Sequence, residues 1–140
     1  MVNGSTISLP WANKHIPAII EAWYPGQSGG KAIAEVLFGD YNPGGKLPMT
    51  FYKGINDLPP FDDYDVRNGR TYMYFKGEPL YPFGHGLSYT DFKIKNVNPN
   101  NTNFSKSDTL QVTFNIVNVG SRYGSEVPQL YIEQNGIKKL

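Results

Sequence analysis

An α/β segment followed by an all-β segment, each incomplete, is the fold class that these 140 residues predict. Three observations carry it. An apolar run at residues 17–23 passes through a Pro/Gly turn into a helix-periodic stretch that ends at Gly39. No helical period survives from residue 40 to residue 90. From residue 109 the pattern switches to a two-residue alternation.

The run "PAIIEAW", 17–23, has the continuous apolar character of a buried strand. "YPGQSGG" supplies the turn. In "KAIAEVLFG", Ala32, Ile33, Val36 and Leu37 fall at i, i+1, i+4 and i+5 and form one helical stripe. Ser28 stands at the N-cap position and Gly39 at C′. Lys31 and Glu35, four apart on the outer face, add about 0.3 kcal/mol. A buried strand feeding an amphipathic helix is one β-α step of an α/β sheet.

Residues 40–90 read as turns with short aromatic strands such as "PMTFY" and "TYMYF". A stretch this long without an extended element needs a larger body to lie against. Beyond it, "DFKIKNV" is a short strand, and in "TLQVTFNIVNV" Leu110, Val112, Phe114 and Ile116 share one face. "EVPQLYIE" reads as a third strand with a bulge near Pro128, because Val127 breaks the alternation of Leu130 and Ile132. Three strands with turns between them begin an antiparallel sandwich. The division between the two parts falls near Thr90 to Phe92, and "NPNNTNFSKSD" is a loop inside the second. One β-α step and three strands both leave unpaired edges. The expectation is a piece of something larger.

Composition removes several classes of function. With 39% hydrophobic and 18% charged residues, general disorder is excluded. A net charge of +1 without a basic block argues against nucleic acid as a partner. The absence of cysteine removes disulfides, thiolate metal sites and a cysteine nucleophile. The apolar runs are too short to span a membrane, so no membrane partner is expected. "MVNGSTISLP" lacks the basic and apolar segments of a signal peptide.

"LYPFGHGLSYT", 80–90, holds one of the two histidines among aromatics, glycines and a proline. Two readings stand: an active-site loop around His85 with Ser88 as nucleophile, or a tight structural joint. Gly84 and Gly86 flank the histidine and favour the joint, and no third orienting group sits at a recognisable spacing. His15 reads as a surface residue in a polar loop. Two histidines so far apart give no metal site.

"GQSGGK" and "NPGGK" are not phosphate loops. Pro25 and Asp40 stand where the first glycine belongs, and Ala32 and Leu47 follow the lysines. Asp57, Asp62, Asp63, Asp65 and Glu78 form a cluster of carboxylates of the kind glycosidases pair, but among turn residues a solvated role is the simpler reading. Trp23 and Tyr24 lie at the C-terminal end of the first strand, where α/β sheets bind ligands and where aromatic rings stack on sugars. Core packing is their other reading. Asn3, Asn100 and Asn103 open N-glycosylation sequons.

Two stretches resemble a known family. "PAIIEAWYPGQSGGKAIAEVLFGDYNPGGKLPMTFY" and "LYPFGHGLSYTDF", at their spacings, are similar to the family 3 glycoside hydrolases, the β-glucosidases and β-xylosidases. The resemblance runs over the whole chain. "DLPPFDDYDVRNGRTYMYF" is closer to the β-xylosidase branch, although Met73 stands where that branch has arginine. The resemblance implies a (β/α)₈ barrel, an α/β sandwich domain and a fibronectin-type-III-like domain. It implies that residues 1–90 are the end of the α/β sandwich domain and residues 91–140 the first strands of a fibronectin-type-III-like β-sandwich, both incomplete. It places the aspartate nucleophile in the barrel and the acid/base glutamate early in the sandwich domain, both ahead of Met1, so no catalytic residue is expected in this chain.

The function expected is that of the C-terminal part of a retaining exo-β-glycosidase, first a β-xylosidase, with a β-glucosidase as the alternative. The partner of the whole enzyme is then a β-linked oligosaccharide or xyloside, with no metal or organic cofactor. "PFGHGLSYT" becomes the joint that closes one domain and opens the next. A non-catalytic sugar-binding module is the rival from another class, and a gene remnant without activity is a third reading.

Overall fold

The computed structural model describes residues 1–105 and 107–140. Four short helical elements precede four strands: α1 (Pro10–His15), α2 (Gly29–Phe38), a 3-10 turn (Ile55–Asp57), α3 (Thr71–Tyr74), β1 (Phe92–Pro99), β2 (Val112–Asn118), β3 (Ile132–Gln134) and β4 (Ile137–Lys139). Few helices thus precede a set of antiparallel strands.

α1 starts on a proline at its first turn, where a missing N–H removes no helical bond. His15 therefore closes a helical turn instead of lying in a loop, its Nδ1 2.8 Å from the Trp11 carbonyl. The residue is exposed, as expected.

The run 17–23 carries no strand ladder, contrary to expectation. Its pairing is reduced to Met1: the Met1 amino group donates to Ile20 O (2.6 Å) and Ala22 N–H donates to Met1 O (2.9 Å). Those two bonds have the pattern of one parallel bridge, because they straddle Glu21. A buried strand needs neighbours on both edges, and among the described residues Met1 alone bonds here. α2 then forms where the stripe predicts. Ser28 is its N-cap residue, without a side-chain bond, and Gly39 closes it at φ 82 with its N–H on Val36 O (3.1 Å). The Lys31–Glu35 pair is present. Ile33 and Leu37 face Met1, Ala18, Ile20 and Ala22 across an apolar groove of ≈ 290 Å³.

Residues 47–51 run antiparallel to 80–85. Leu47 N–H donates to His85 O (2.8 Å), Gly84 N–H to Leu47 O (2.7 Å) and Phe51 N–H to Tyr81 O (2.9 Å). "PMTFY" is therefore one β-bridge, Phe51 to Tyr81, and no more. "TYMYF" is not a strand. Thr71 takes φ 64, and Phe75 N–H donates to Thr71 O (3.0 Å), which closes a helical turn. That turn sends Tyr72 onto Phe83 (4.5 Å between centroids) and Phe75 onto Tyr52 (4.9 Å).

β1 and β2 pair antiparallel, Ile94 opposite Ile116, with a shift between Lys95 and Asn98. Asn96 at φ 53 absorbs the extra residue of this bulge. The expected third strand, 126–133, joins a ladder only from Ile132. Pro128 has no N–H to give, and Glu126 and Gln129 are engaged with the first part of the chain instead. β3 turns into β4 through Asn135 and Gly136, both at positive φ (54 and 75), as a two-residue hairpin loop of the primed type requires.

The chain exposes 10533 Å². A compact monomer of this mass exposes about 7300 Å². Among the described residues, Phe51 is the one hydrophobic side chain in the buried class, at 1% exposure. It sits against Trp23 and Tyr81, at centroid distances of 6.2 and 6.1 Å. The apolar faces of α2 and of the β1–β2 pair are left largely open, with Leu37 62%, Ile94 50% and Ile116 40% exposed.

Candidate functional site

The stretch 80–90 folds as a joint. Pro82 O accepts from His85 N–H (3.0 Å), closing a turn that Gly84 completes at φ 80. The His85 ring stacks on Tyr81, 5.1 Å between centroids with planes 20° apart. Burial, and then the charge of Lys46, hold the imidazole below its ordinary value of 6.5. Ser88 does not meet the histidine. Its hydroxyl exchanges hydrogen bonds with the Asn42 carboxamide (2.9 and 3.1 Å). A nucleophile and its base must be within hydrogen-bond reach, and these two residues spend their contacts elsewhere.

Two residues the sequence did not single out hold this joint. Asn42 Oδ1 also accepts from Tyr89 N–H (2.6 Å). Lys46 Nζ donates to Gly86 O (2.8 Å) and reaches Glu126 Oε1 at 3.0 Å. Asn42 precedes a proline, a turn-forming signal. The Lys46–Glu126 pair spans 80 positions and has no local signature. The glycine stretches behave as the motif test requires: Gly29 and Gly30 open α2, and Gly44 lies against the backbone of Ser125.

The carboxylates do not converge. Asp57 Oδ2 accepts from Lys53 N–H (2.9 Å) and Gly54 N–H (3.1 Å). Asp63 accepts from Asp65 N–H (3.0 Å) and Asn68 Nδ2 (2.8 Å). Asp65 is gripped by Arg67 through two guanidinium nitrogens and the backbone N–H, which pull its carboxyl down to about 2. Glu78 pairs with Lys53 (2.5 Å) and is lowered by it. Arg70 ties the loop from outside by donating to Pro60 O and Asp63 O, each at 2.9 Å. Each of these four acids holds a loop backbone or a cation; Asp62 is exposed. Among the described residues no three His, Asp or Glu side chains gather as a metal would require. Among the described residues no helix is long and apolar enough to cross a membrane.

Trp23 and Tyr24 part company. Trp23 is half-buried on Phe51, its N–H donating to Glu21 Oε1 (2.9 Å), and holds φ 51. Tyr24 is 76% exposed, with its ring over Gly4, where a Cβ would come within 2.4 Å. Of the three sequon asparagines, Asn100 uses its carboxamide to close the end of the β1–β2 pair, with Thr109 O at 3.1 Å and Gln111 N–H at 2.9 Å.

Comparison with known proteins gives the family. A xylan 1,4-β-xylosidase of Xylanibacter ruminicola is 48% identical over 93% of this chain and 15% of its own length. A β-xylosidase of Formosa agariphila is 37% identical over 96% of this chain and 19% of its own. Other relatives carry β-glucosidase names. A solved β-glucosidase from Erythrobacter marinus superposes with a TM-score of 0.71 at 40% identity, covering 88% of this chain and 16% of that one. The chain thus spans less than a fifth of the length of these relatives. The model of the glycosyl hydrolase family 3 C-terminal domain matches residues 1–89. On these matches, the chain belongs to glycosyl hydrolase family 3 and carries part of its C-terminal domain.

Proposed function

We propose that this chain is a structural part of a retaining exo-acting β-glycosidase whose first substrate class is terminal β-xylosides. The observation that carries the reading is the 48% identity to a xylan 1,4-β-xylosidase. The β-glucosidase name of the similar Erythrobacter structure carries the second reading, a β-glucosidase. In the whole enzyme one carboxylate attacks the anomeric carbon while a second carboxylic acid, ~5 Å from the first, protonates the leaving oxygen. The chain alone is inactive. In support, the acids between 57 and 78 that bond are committed to loop N–H groups, Arg67 and Lys53.

Residues 1–90 are read as the end of an α/β sandwich domain and residues 91–140 as the opening of a fibronectin-type-III-like one. The match to residues 1–89 and the antiparallel pair that starts at Phe92 support this division. Trp23 and Tyr24 are read as facing the sugar. A tryptophan held at φ 51 is strained by about 1–3 kcal/mol, and such strain collects at working sites.

The test is hydrolysis of an aryl β-xyloside by the purified 140-residue chain. No turnover is expected. Turnover by the chain contradicts the proposal, and turnover that survives substitution of His85, Asp62 and Asp63 shows that the active machinery lies elsewhere in this chain.

A further inference from the structure

Besides the packing of Tyr72 on Tyr131 and the bond from Leu140 N–H to the Tyr72 hydroxyl, a set of contacts between the two parts of the chain forms an ordered series. Gly39 O accepts from Arg122 Nη1 (3.1 Å). Asn42 abuts Gly124, where a Cβ would come within 2.2 Å of Asn42 Nδ2. Gly44 abuts Ser125, and a Cβ on Gly44 would sit 2.8 Å from Ser125 O. Lys46 meets Glu126 at 3.0 Å. Numbers rise together on both sides, so residues 39–46 and 122–126 run alongside each other in the same direction. The series ends where Gln129 covers Gly84, whose added Cβ would lie 2.2 Å from Gln129 Oε1.

Two features show what this contact does. Arg122 lies 5.8 Å over the Tyr89 ring, and the Tyr89 hydroxyl donates to Val36 O (2.8 Å). The Tyr89 hydroxyl thus gives Val36 O a second donor beside Gly39 N–H, and Arg122 sets a cation on Gly39 O at the negative end of the α2 dipole. Lys46, with its side chain 14% exposed, donates to Gly86 O and Glu126 at once. Its ammonium thereby ties residues 39–46 to the 80–89 loop and to the distal segment at once, as the Asn42 carboxamide does beside it through Ser88, Tyr89 and Gly124.

We propose that residues 39–46 form an intramolecular docking ledge whose ligand is the chain's own segment 122–129. Lys46 is its central positioning residue, and this docking sets the conformation of the 80–89 loop. The inference is independent of which sugar the whole enzyme takes.

Hydrogen exchange of the 140-residue chain tests it at two amides, Leu47 and Gly84, which bond across the ledge and the loop. Both are expected to be protected. Glu126→Gln removes the charge that holds Lys46 but keeps the side chain's shape. It is expected to speed exchange at both amides by on the order of tenfold, while the β1–β2 amides do not change. Lys46→Met, which also removes the bond to Gly86 O, is expected to act on the same amides at least as strongly, and the double variant no more than Lys46→Met alone, because the Glu126 contact is already gone in it. The proposal is overturned if Leu47 and Gly84 are unprotected in the unaltered chain. It is overturned equally if Glu126→Gln speeds exchange only within 122–131, or if the two substitutions add.

Discussion

Phe51→Ala is the substitution that tests where the core lies. The ring is 1% exposed and its neighbours are the rings of Trp23 and Tyr81. The backbone bonds of Phe51 with Tyr81 do not involve the side chain and survive the change. Transfer of the ring to water removes about 1.5–3 kcal/mol. The cavity that two aromatic walls leave behind raises the loss to about 3–5 kcal/mol. A domain is stable by only about 5–15 kcal/mol, so one residue here holds a large share of the total. Urea unfolding followed by tryptophan fluorescence in a Trp11→Phe background, where Trp23 alone reports, measures it, with Phe61→Ala as the control. Phe61 is 92% exposed, and its loss is expected to stay within about 0.5 kcal/mol. A Phe51→Ala loss below about 1 kcal/mol, or an equal loss from Phe61→Ala, refutes the placement of the core.

Three further outcomes are expected. Asp65 titrates at about 2, since the Arg67 guanidinium and then its N–H favour the carboxylate; its contribution is whole above its ordinary 3.8 and lost as pH falls through about 2. Carboxyl NMR reads this midpoint, and Arg67→Gln returns it toward 3.8. His85 is lowered by burial and by Lys46, so the unfolded chain takes up its proton first on acidification. Its stabilising part is full above 6.5 and lost as pH falls; the chain is less stable near about pH 5 than about pH 8, and His85→Gln reduces that difference. An unchanged slope contradicts this. Gly84→Ala places a side chain at φ 80 and costs about 1–2 kcal/mol. Adding Gln129→Ala removes the collision but not the strain, so thermal unfolding of the double variant still shows that loss.

Much of the local structure was legible because it is set by local rules. α2 follows from its apolar stripe and from Gly39, which takes the left-handed conformation that ends a helix. β1 and β2 follow from alternation. The joint at 80–90 was legible from Gly84 and Gly86, and its histidine packs on Tyr81 as that reading requires.

What failed depended on distant partners. The run 17–23 has a strand's composition, but a ladder is made by neighbours, and among the described residues Met1 alone bonds to it, as a single bridge. "TYMYF" has strand propensity, yet the rings of Phe83 and Tyr52 draw Tyr72 and Phe75 into a helical turn. Residues 126–131 alternate poorly because Glu126 and Gln129 answer to Lys46 and Gly84, more than forty positions away. The hairpin at Asn135 and Gly136 carries one local signal, the Asn-Gly pair itself, while its polar flanks Glu133, Gln134, Lys138 and Lys139 give no strand alternation to go with it.

The most direct test of the account is made on the full-length product of the gene that encodes these residues. Its initial rates on aryl β-xyloside and aryl β-glucoside are compared, and NMR identifies the anomer first released. The account predicts hydrolysis with a higher kcat/KM on the xyloside, and a β-anomer as first product, as two carboxylates ~5 Å apart dictate. A first-formed α-anomer, or no hydrolysis of either glycoside, contradicts it.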